Sequence, residues 1–301
     1  MPTNGVSEWV FPSLAGIYDQ HIDEELFEVI IMDNGDDKEF EKKIKDYSAN
    51  HSNLWYFHTD KPLFLSEPES YRKASGELIK FINHRNILTP GSLQYLIDFV
   101  NKYRSEKPVV YFTNGSTAIK HAVSEFDSFG KFVLGLGYFS SWSSGMAVWK
   151  SDMEQFASDD HEFNYLFPHT DILFCRRDAS RYIIDGTYLW DEQKQGKKPK
   201  GNYDLFYAFA VEYPGIIEKL VKSGDMDMKD FLSFKSELRN FLSDLYFDYV
   251  FLKKYCSYDL SNYKQSLSVY YSEREILLNY FTKKIRKIPN AIGHMLKRRK
   301  R

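Results

Sequence analysis

The sequence predicts an α/β fold: a three-layer sandwich around a mostly parallel sheet, followed by a helical C-terminal region. Three observations carry this. Residues 26–32 (Leu-Phe-Glu-Val-Ile-Ile-Met) form a nearly continuous apolar, β-branched run, as a strand buried on both faces requires. Strand-like and helix-like segments then alternate as far as residues 109–113, which argues for right-handed crossovers over one sheet. Beyond residue 203 helical periodicity takes over: Phe231, Phe234, Leu238, Phe241, Leu242 and Leu245 fall on one helix face.

Taken in order, residues 6–20 carry Val10, Leu14 and Ile17 at helical spacing. The strand at 26–32 ends in the polar turn Asp33-Asn34-Gly35-Asp36-Asp37, and residues 38–50 read as a charged helix. Residues 54–58 (Leu-Trp-Tyr-Phe-His) form a short aromatic strand, and residues 67–75 a short helix stopped by Gly76. The strand at 78–82 runs into the polar tetrad Asn83-His84-Arg85-Asn86. Polar groups at the carboxyl end of a strand in an open α/β sheet face the ligand crevice, so a substrate is expected here. Thr89 suits an N-cap and Pro90 the first position of a helix over 90–104, with Leu93, Leu96, Ile97 and Val100 on its apolar face. Residues 109–113 form another strand ending at Asn114-Gly115, and residues 182–190 a strand or hairpin. Residues 191–202 are a polar loop with Lys194, Lys197, Lys198 and Lys200, read either as a lid over a diphosphate or as solvated chain. The helices that follow are expected at 203–213 (broken by Pro214), 215–222, 229–255 and, as one or two, 263–288. This divides the chain into a sheet domain, 1–202, and a helical region, 203–301.

Composition removes several classes of function. With 301 residues, 43% apolar and 27% charged, the chain can bury a core, and a net charge of −2 gives no argument for nucleic acid. The two cysteines, Cys175 and Cys256, make neither a disulfide framework nor a zinc signature. No histidine pair has metal-ligand spacing, and no Gly-rich phosphate loop is present, which disfavours dinucleotide and ATP enzymes. No apolar run long enough to span a bilayer and no signal peptide can be read, so the cytoplasm is the expected compartment.

Four blocks then resemble a family-2 glycosyltransferase of the GT-A fold, over roughly residues 1–100. Pro2-Thr3-Asn4 resembles the family's Pro-Thr-x-Asn opening, and Val29 to Gly35 its Val-x-Val-Asp-Asp-Gly-Ser turn. Ala74 to Asn83 resembles Ala-x-Gly-Glu-Tyr-Ile-x-Phe-Leu-Asp, and residues 87–93 supply the Pro and Leu of the next helix. A fifth block, Tyr138 to Lys150, resembles the turn and strand that lie under the acceptor, which points to Trp142 and Ser143. The resemblance implies an inverting transferase moving a sugar from a nucleotide diphosphate, UDP above all, to a glycan or lipid-linked acceptor in bacterial capsule or O-antigen synthesis. It implies Thr3, Asp33 and Asn34 at the nucleoside, with Asn83, His84 and Arg85 at the diphosphate and its Mg2+ or Mn2+. Asp171 stands where the family's general base opens a helix; a helix-capping carboxylate is the plainer reading of the same residue.

Two departures qualify it. The family's Asp-x-Asp metal ligands are replaced by Asn83, His84 and Arg85, a poor set for a hard cation; Arg85 can itself neutralise a diphosphate, or His84 can favour Mn2+, or catalysis has been lost. The apolar strand that precedes Pro-Thr-x-Asn is missing, so either the native start lies upstream or the sheet lacks a middle strand. The alternative function is a catalytically silent glycosyltransferase-like subunit that binds or assembles. Finally, from Thr282 to Arg301 there are nine Lys or Arg residues and no acid, interleaved with apolar residues. Such a tail holds an anionic membrane face or is a solvated terminus, with nucleic-acid binding as a third reading.

Overall fold

The computed structural model of the chain describes residues 1–116, 123–158, 161–194 and 202–298, with side chains to residue 285. The chain divides into two compact units, Met1–Lys194 and Gln195–Arg301. Of the charged loop at 191–202, Lys197, Lys198 and Lys200 lie outside the described residues.

The first unit opens with a parallel ladder of β1 (Pro2–Thr3), β2 (Val29–Asp33) and β3 (Leu54–His58), in that spatial order. All five residues of β2 are buried, which is why its sequence does not alternate. Helix α1 (Ser7–Tyr18) leads from β1 to β2 and buries Val10, Leu14 and Ile17. Helix α2 (Lys38–Ser48) leads from β2 to β3. Asp37 caps it by accepting the backbone N–H groups of Glu39 and Phe40, and Phe40 and Ile44 are fully buried, each contributing about 1.5–3 kcal/mol.

After α3 (Ser66–Lys73) the chain enters β4 (Leu78–Lys80), turns, and forms β5 (Asn86–Leu88). Helix α4 (Ser92–Tyr103) carries it to β6 (Val109–Phe112), and then come β7 (Val123–Phe126) and α5 (Phe129–Leu136). The last elements of the unit are β8 (Ala147–Trp149), α6 (Lys150–Met153), α7 (Pro168–Leu173), β9 (Tyr182–Asp185) and β10 (Trp190–Glu192). β4 pairs antiparallel with β8, β9 lies between parallel β6 and antiparallel β7, and an isolated Tyr111–Met146 bridge joins β6 to the residue before β8. Parallel and antiparallel ladders thus form four short sheets, β1-β2-β3, β4-β8, β5-β10 and β6-β9-β7, within the expected α/β architecture.

Some details differ from the expectations. A first strand exists in short form: Pro2–Thr3 pair with Met32–Asp33, and the Met1 amino group donates to the Ile30 carbonyl at 2.6 Å. Beyond it, an apolar cleft of about 430 Å³ lies between β2 and β4, lined by Val29, Ile30, Leu78, Ile82, Leu96 and Val100 among others. Helix α4 starts at Ser92 rather than Pro90, because Gly91 takes a left-handed conformation (φ +84°) and the Thr89 hydroxyl bonds that of Ser92 at 2.7 Å. Gly76 is not a helix cap; its N–H donates to the Glu28 carboxylate at 2.8 Å. Residues 182–190 are not a hairpin, since β9 pairs with β6 and β7 while β10 pairs with β5.

The second unit is helical. Pro214 does not break the chain there. Helix α8 (Leu205–Tyr207) passes through a wide π turn, Ala208–Glu212, into α9 (Tyr213–Lys222). The Tyr213 N–H reaches back five residues to Ala208, and Pro214 follows directly, in the register slip where a missing N–H costs least. Helix α10 (Met228–Leu245) buries Phe231, Phe234, Leu238 and Leu242 of the expected stripe and runs into a second π segment, Tyr246–Phe251. The region expected at 263–288 is α11 (Tyr263–Ser268) and α12 (Glu273–Arg298).

Candidate functional site

The carboxyl ends of β1, β2 and β4 converge, and the tetrad residues meet the first two strands there. Asp33 closes β2, buried. Its carboxylate accepts the Gly35 N–H at 2.9 Å and the Tyr56 hydroxyl at 3.0 Å. Burial pushes its pKa up, and those two bonds oppose the shift. The Asn34 N–H donates to the Thr3 carbonyl at 3.0 Å. The Asn34 side-chain NH2 is committed to the Lys61 and Leu63 carbonyls, both at 3.2 Å. Asn34 therefore braces the 61–63 loop and offers a ligand its oxygen only. A Cβ on Gly35 would lie 2.5 Å from the Asn4 carbonyl, so the turn needs glycine for this close approach.

Thr3 is the link to the tetrad. Its hydroxyl accepts the Gly5 N–H at 3.2 Å and shares a 2.8 Å hydrogen bond with His84 Nδ1. Burial, with Arg85 and the amino terminus adding to it, pushes the His84 pKa down to about 4, so the imidazole is neutral at physiological pH. The Trp9 ring lies 5.0 Å from His84, and the Arg85 guanidinium sits over Trp9 at 5.6 Å. Asn83 Oδ1 accepts the Arg85 N–H at 3.0 Å, which sets the turn. From the end of β10, Gln193 ties the group together: its backbone N–H donates to Arg85 and its side chain to the Trp9 carbonyl, both at 2.8 Å. Asn86, expected as part of a polar rim, is instead buried in β5.

The second half of the site is attached through Lys80. Its amine donates to the Phe81 carbonyl at 2.8 Å and the Ser144 carbonyl at 2.5 Å, and it lies over the rings of Trp190 and Phe112. Burial pushes its pKa down to about 7. The turn it holds contains Trp142 and Ser143. Trp142 is 40% exposed and meets Phe139 edge-on at 4.7 Å. The Tyr111 hydroxyl binds the carbonyls of Phe139 and Trp142, both at 2.6 Å. Asp171 lies in the first turn of α7, and its carboxylate accepts the Asn164 N–H at 2.6 Å. The preceding Thr170 hydroxyl bonds the Ser140 carbonyl at 2.9 Å, which anchors α7 to the Trp142 turn. Buried His169 faces buried Glu67 at 3.3 Å.

Thr3, Asp33, Asn34, Asn83, His84 and Arg85 are thus joined by direct contacts or chain adjacency, whereas Trp142, Ser143 and Asp171 belong to a separate group tethered by Lys80. Sequence reasoning missed Trp9, Tyr56, Lys80 and Gln193. Only Lys80 carried a signal, as the one charge in an otherwise apolar strand.

A divalent cation does not suit this donor set. Asn83 Oδ1 is engaged by a backbone N–H, His84 Nδ1 is engaged with Thr3, and Arg85 adds positive charge alongside. Among the described residues no group of three or more His, Cys, Asp or Glu could hold a metal ion.

No protein-family model and no curated protein matches the chain. Solved structures do. S. aureus TarS 1-349 in complex with UDP-GlcNAc is similar with a TM-score of 0.57 and 14% identity, covering 89% of this chain and 78% of that one. The same protein in complex with UDP gives a TM-score of 0.52 and 14% identity, covering 93% and 78%. A longer S. aureus TarS structure gives a TM-score of 0.51 and 13% identity, covering 82% of this chain and 43% of that one. At such identity the likeness establishes a shared fold, which is the GT-A-like fold expected from the sequence.

Proposed function

We propose that the protein is an inverting glycosyltransferase that moves a sugar from a nucleoside diphosphate, UDP first among them, to a hydroxyl of a glycan or lipid-linked acceptor. Bacterial capsule or O-antigen synthesis is the setting. The observation that carries this reading is the joined cluster of Thr3, Asp33, His84, Arg85 and Trp9 at the carboxyl ends of β1, β2 and β4. That is where an open α/β sheet binds a nucleotide, and the fold shared with one protein crystallised with UDP and with UDP-GlcNAc supports it.

In this reading Asp33, Thr3 and the Asn34 oxygen take the nucleoside, and the Trp9 ring supplies an apolar face. Arg85, with Asn83 and neutral His84 beside it, meets the diphosphate charge. A guanidinium pairs with phosphate oxygens in a fixed fork and needs no metal to do so. The acceptor sugar lies against Trp142 and Ser143. Asp171 takes the proton of the acceptor hydroxyl as its oxygen bonds the anomeric carbon, and UDP departs from the opposite face with the bonding pair.

One observation favours a second reading, a silent subunit that binds without transfer: the Asp171 carboxylate already accepts the Asn164 N–H. Calorimetry with UDP and assay of UDP release from UDP-sugars, with and without Mn2+, separate the two. Binding with release supports transfer, and binding without release supports the silent subunit. Absence of UDP binding refutes both.

A further inference from the structure

Among the described residues, one apolar face of helix α12 is largely exposed; Phe281 meets Phe247 edge-on at 6.2 Å at its border. Its inner side packs on α10 through Ile276, Asn279 and Tyr280. Its outer side presents Leu278, Phe281 and Ile285, exposed by 56%, 47% and 64%. These fall at i, i+3 and i+7, one stripe of a helix. The sequence continues the same spacing at Ile288, Ile292 and Met295. The patch extends sideways, because Phe247 stacks on Tyr280 at 3.7 Å and on Phe251 at 5.1 Å, and Phe251 is itself exposed.

Charge decides what such a face can meet. The run from Thr282 to Arg301 has nine basic residues and no acid. Two acids on the segments packed against α12 are paired with lysines: Asp244 with Lys283, and Asp248 with Lys254 at 2.7 Å. A second copy laid parallel along the same stripe would bring like charges together, and the helix's two acids, Glu273 and Glu275 in its first turn, are engaged by Tyr246 and Ser272. An anionic lipid surface instead accepts both features, the apolar stripe at the acyl boundary and the basic flanks at the headgroups. No helix among the described residues is long and apolar enough to cross a membrane, so the geometry is that of a helix lying on the surface.

We propose that the outer face of α12, formed by Leu278, Phe281 and Ile285 with its basic flank, docks the protein on an anionic membrane surface. The inference does not depend on glycosyl transfer. The test is co-sedimentation of the full chain with phosphatidylcholine vesicles containing about one-third phosphatidylglycerol, and with vesicles of phosphatidylcholine alone. Binding to the anionic vesicles only is expected. It should weaken steeply as salt rises from about 0.1 M to about 1 M, where the screening length falls to about 3 Å. F281E with I285E should reduce partitioning at least about tenfold. Lys284→Gln with Arg298→Gln and Arg299→Gln should reduce it on the order of 100-fold. These positions are exposed or belong to the basic flank, and an unchanged circular-dichroism melt checks that the variants fold. Equal binding to neutral vesicles, no binding, or binding unaffected by either variant overturns the proposal. So does a concentration-dependent dimer that F281E with I285E abolishes, which would assign the face to a second copy.

Discussion

His84 gives the sharpest test of the site, because its environment makes a signed prediction about acid stability. Its ordinary pKa of 6.5 is pushed down to about 4, first by burial and then by Arg85 and the amino terminus. The folded form therefore resists a proton that the unfolded form accepts. Above the ordinary value both forms are neutral and the histidine contributes nothing. As pH falls from there towards about 4, the unfolded chain binds more protons, and stability is lost across that window. Worked from the two values, the loss reaches about 2.5 kcal/mol near pH 4.5. The assay is urea unfolding at about pH 7.5 and about pH 4.5, followed by tryptophan fluorescence, in the parent and in His84→Gln. Glutamine does not titrate and can still bond the Thr3 hydroxyl. The variant should escape about 2.5 kcal/mol of the parent's acid loss. If parent and variant lose stability equally, His84 is not held neutral by burial, and the tight Thr3–His84–Trp9 cluster is wrong. An imidazole NMR titration with its midpoint near the ordinary value, about 6.5, would refute the cluster independently.

Other consequences can be checked directly. Arg85→Ala should weaken UDP binding by about 10- to 100-fold, the loss of one charge-assisted contact, while a chelator leaves the parent's rate unchanged; strong chelator sensitivity sinks the metal-free reading. Asp171→Asn should lower turnover by about 100-fold or more with KM little changed if the carboxylate is the base. A melting point lowered with turnover intact would assign it to holding the Asn164 loop instead. Gly145→Ala should cost about 3 kcal/mol by overpacking, since the new Cβ would lie 2.2 Å from the Tyr111 ring and 2.5 Å from the Phe112 carbonyl. Full stability in that variant would show that the Trp142 turn does not press on Tyr111 as described.

Much of the frame is legible in the sequence because burial writes itself into composition. The run at β2 has to be apolar at consecutive positions, since both its faces are covered. The stripe of α10 and the Asp37 cap of α2 are equally local signals. What escapes is set by partners distant in sequence. Trp9 joins His84 and Arg85 only because α1 and the β4–β5 turn meet, 75 residues apart by number between Trp9 and His84. Asn86 reads as polar rim until β10 arrives to pair with β5. At the start of α4, Thr89-Pro90 fits the local cap pattern, whereas the left-handed Gly91 fixes the true boundary. In the site itself the residue types at Thr3, Asp33 and Arg85 can be named from the chain. Their mutual contacts, and the bond of the Lys80 amine to the Trp142 turn, cannot.

The π turn at Ala208–Glu212 has a consequence for how this chain can vary through descent. A wide turn of this kind is one residue more than an α-helix needs, and Pro214 sits where that surplus residue has displaced the ladder. Deleting any one residue of the turn would restore α register and bring the proline under a demand for an N–H it lacks. Replacing the proline alone would leave the surplus residue without its use. The two are therefore expected to travel together: lineages that lose the insertion should also have lost the proline, and either change by itself should be rare among sequences that still fold this way.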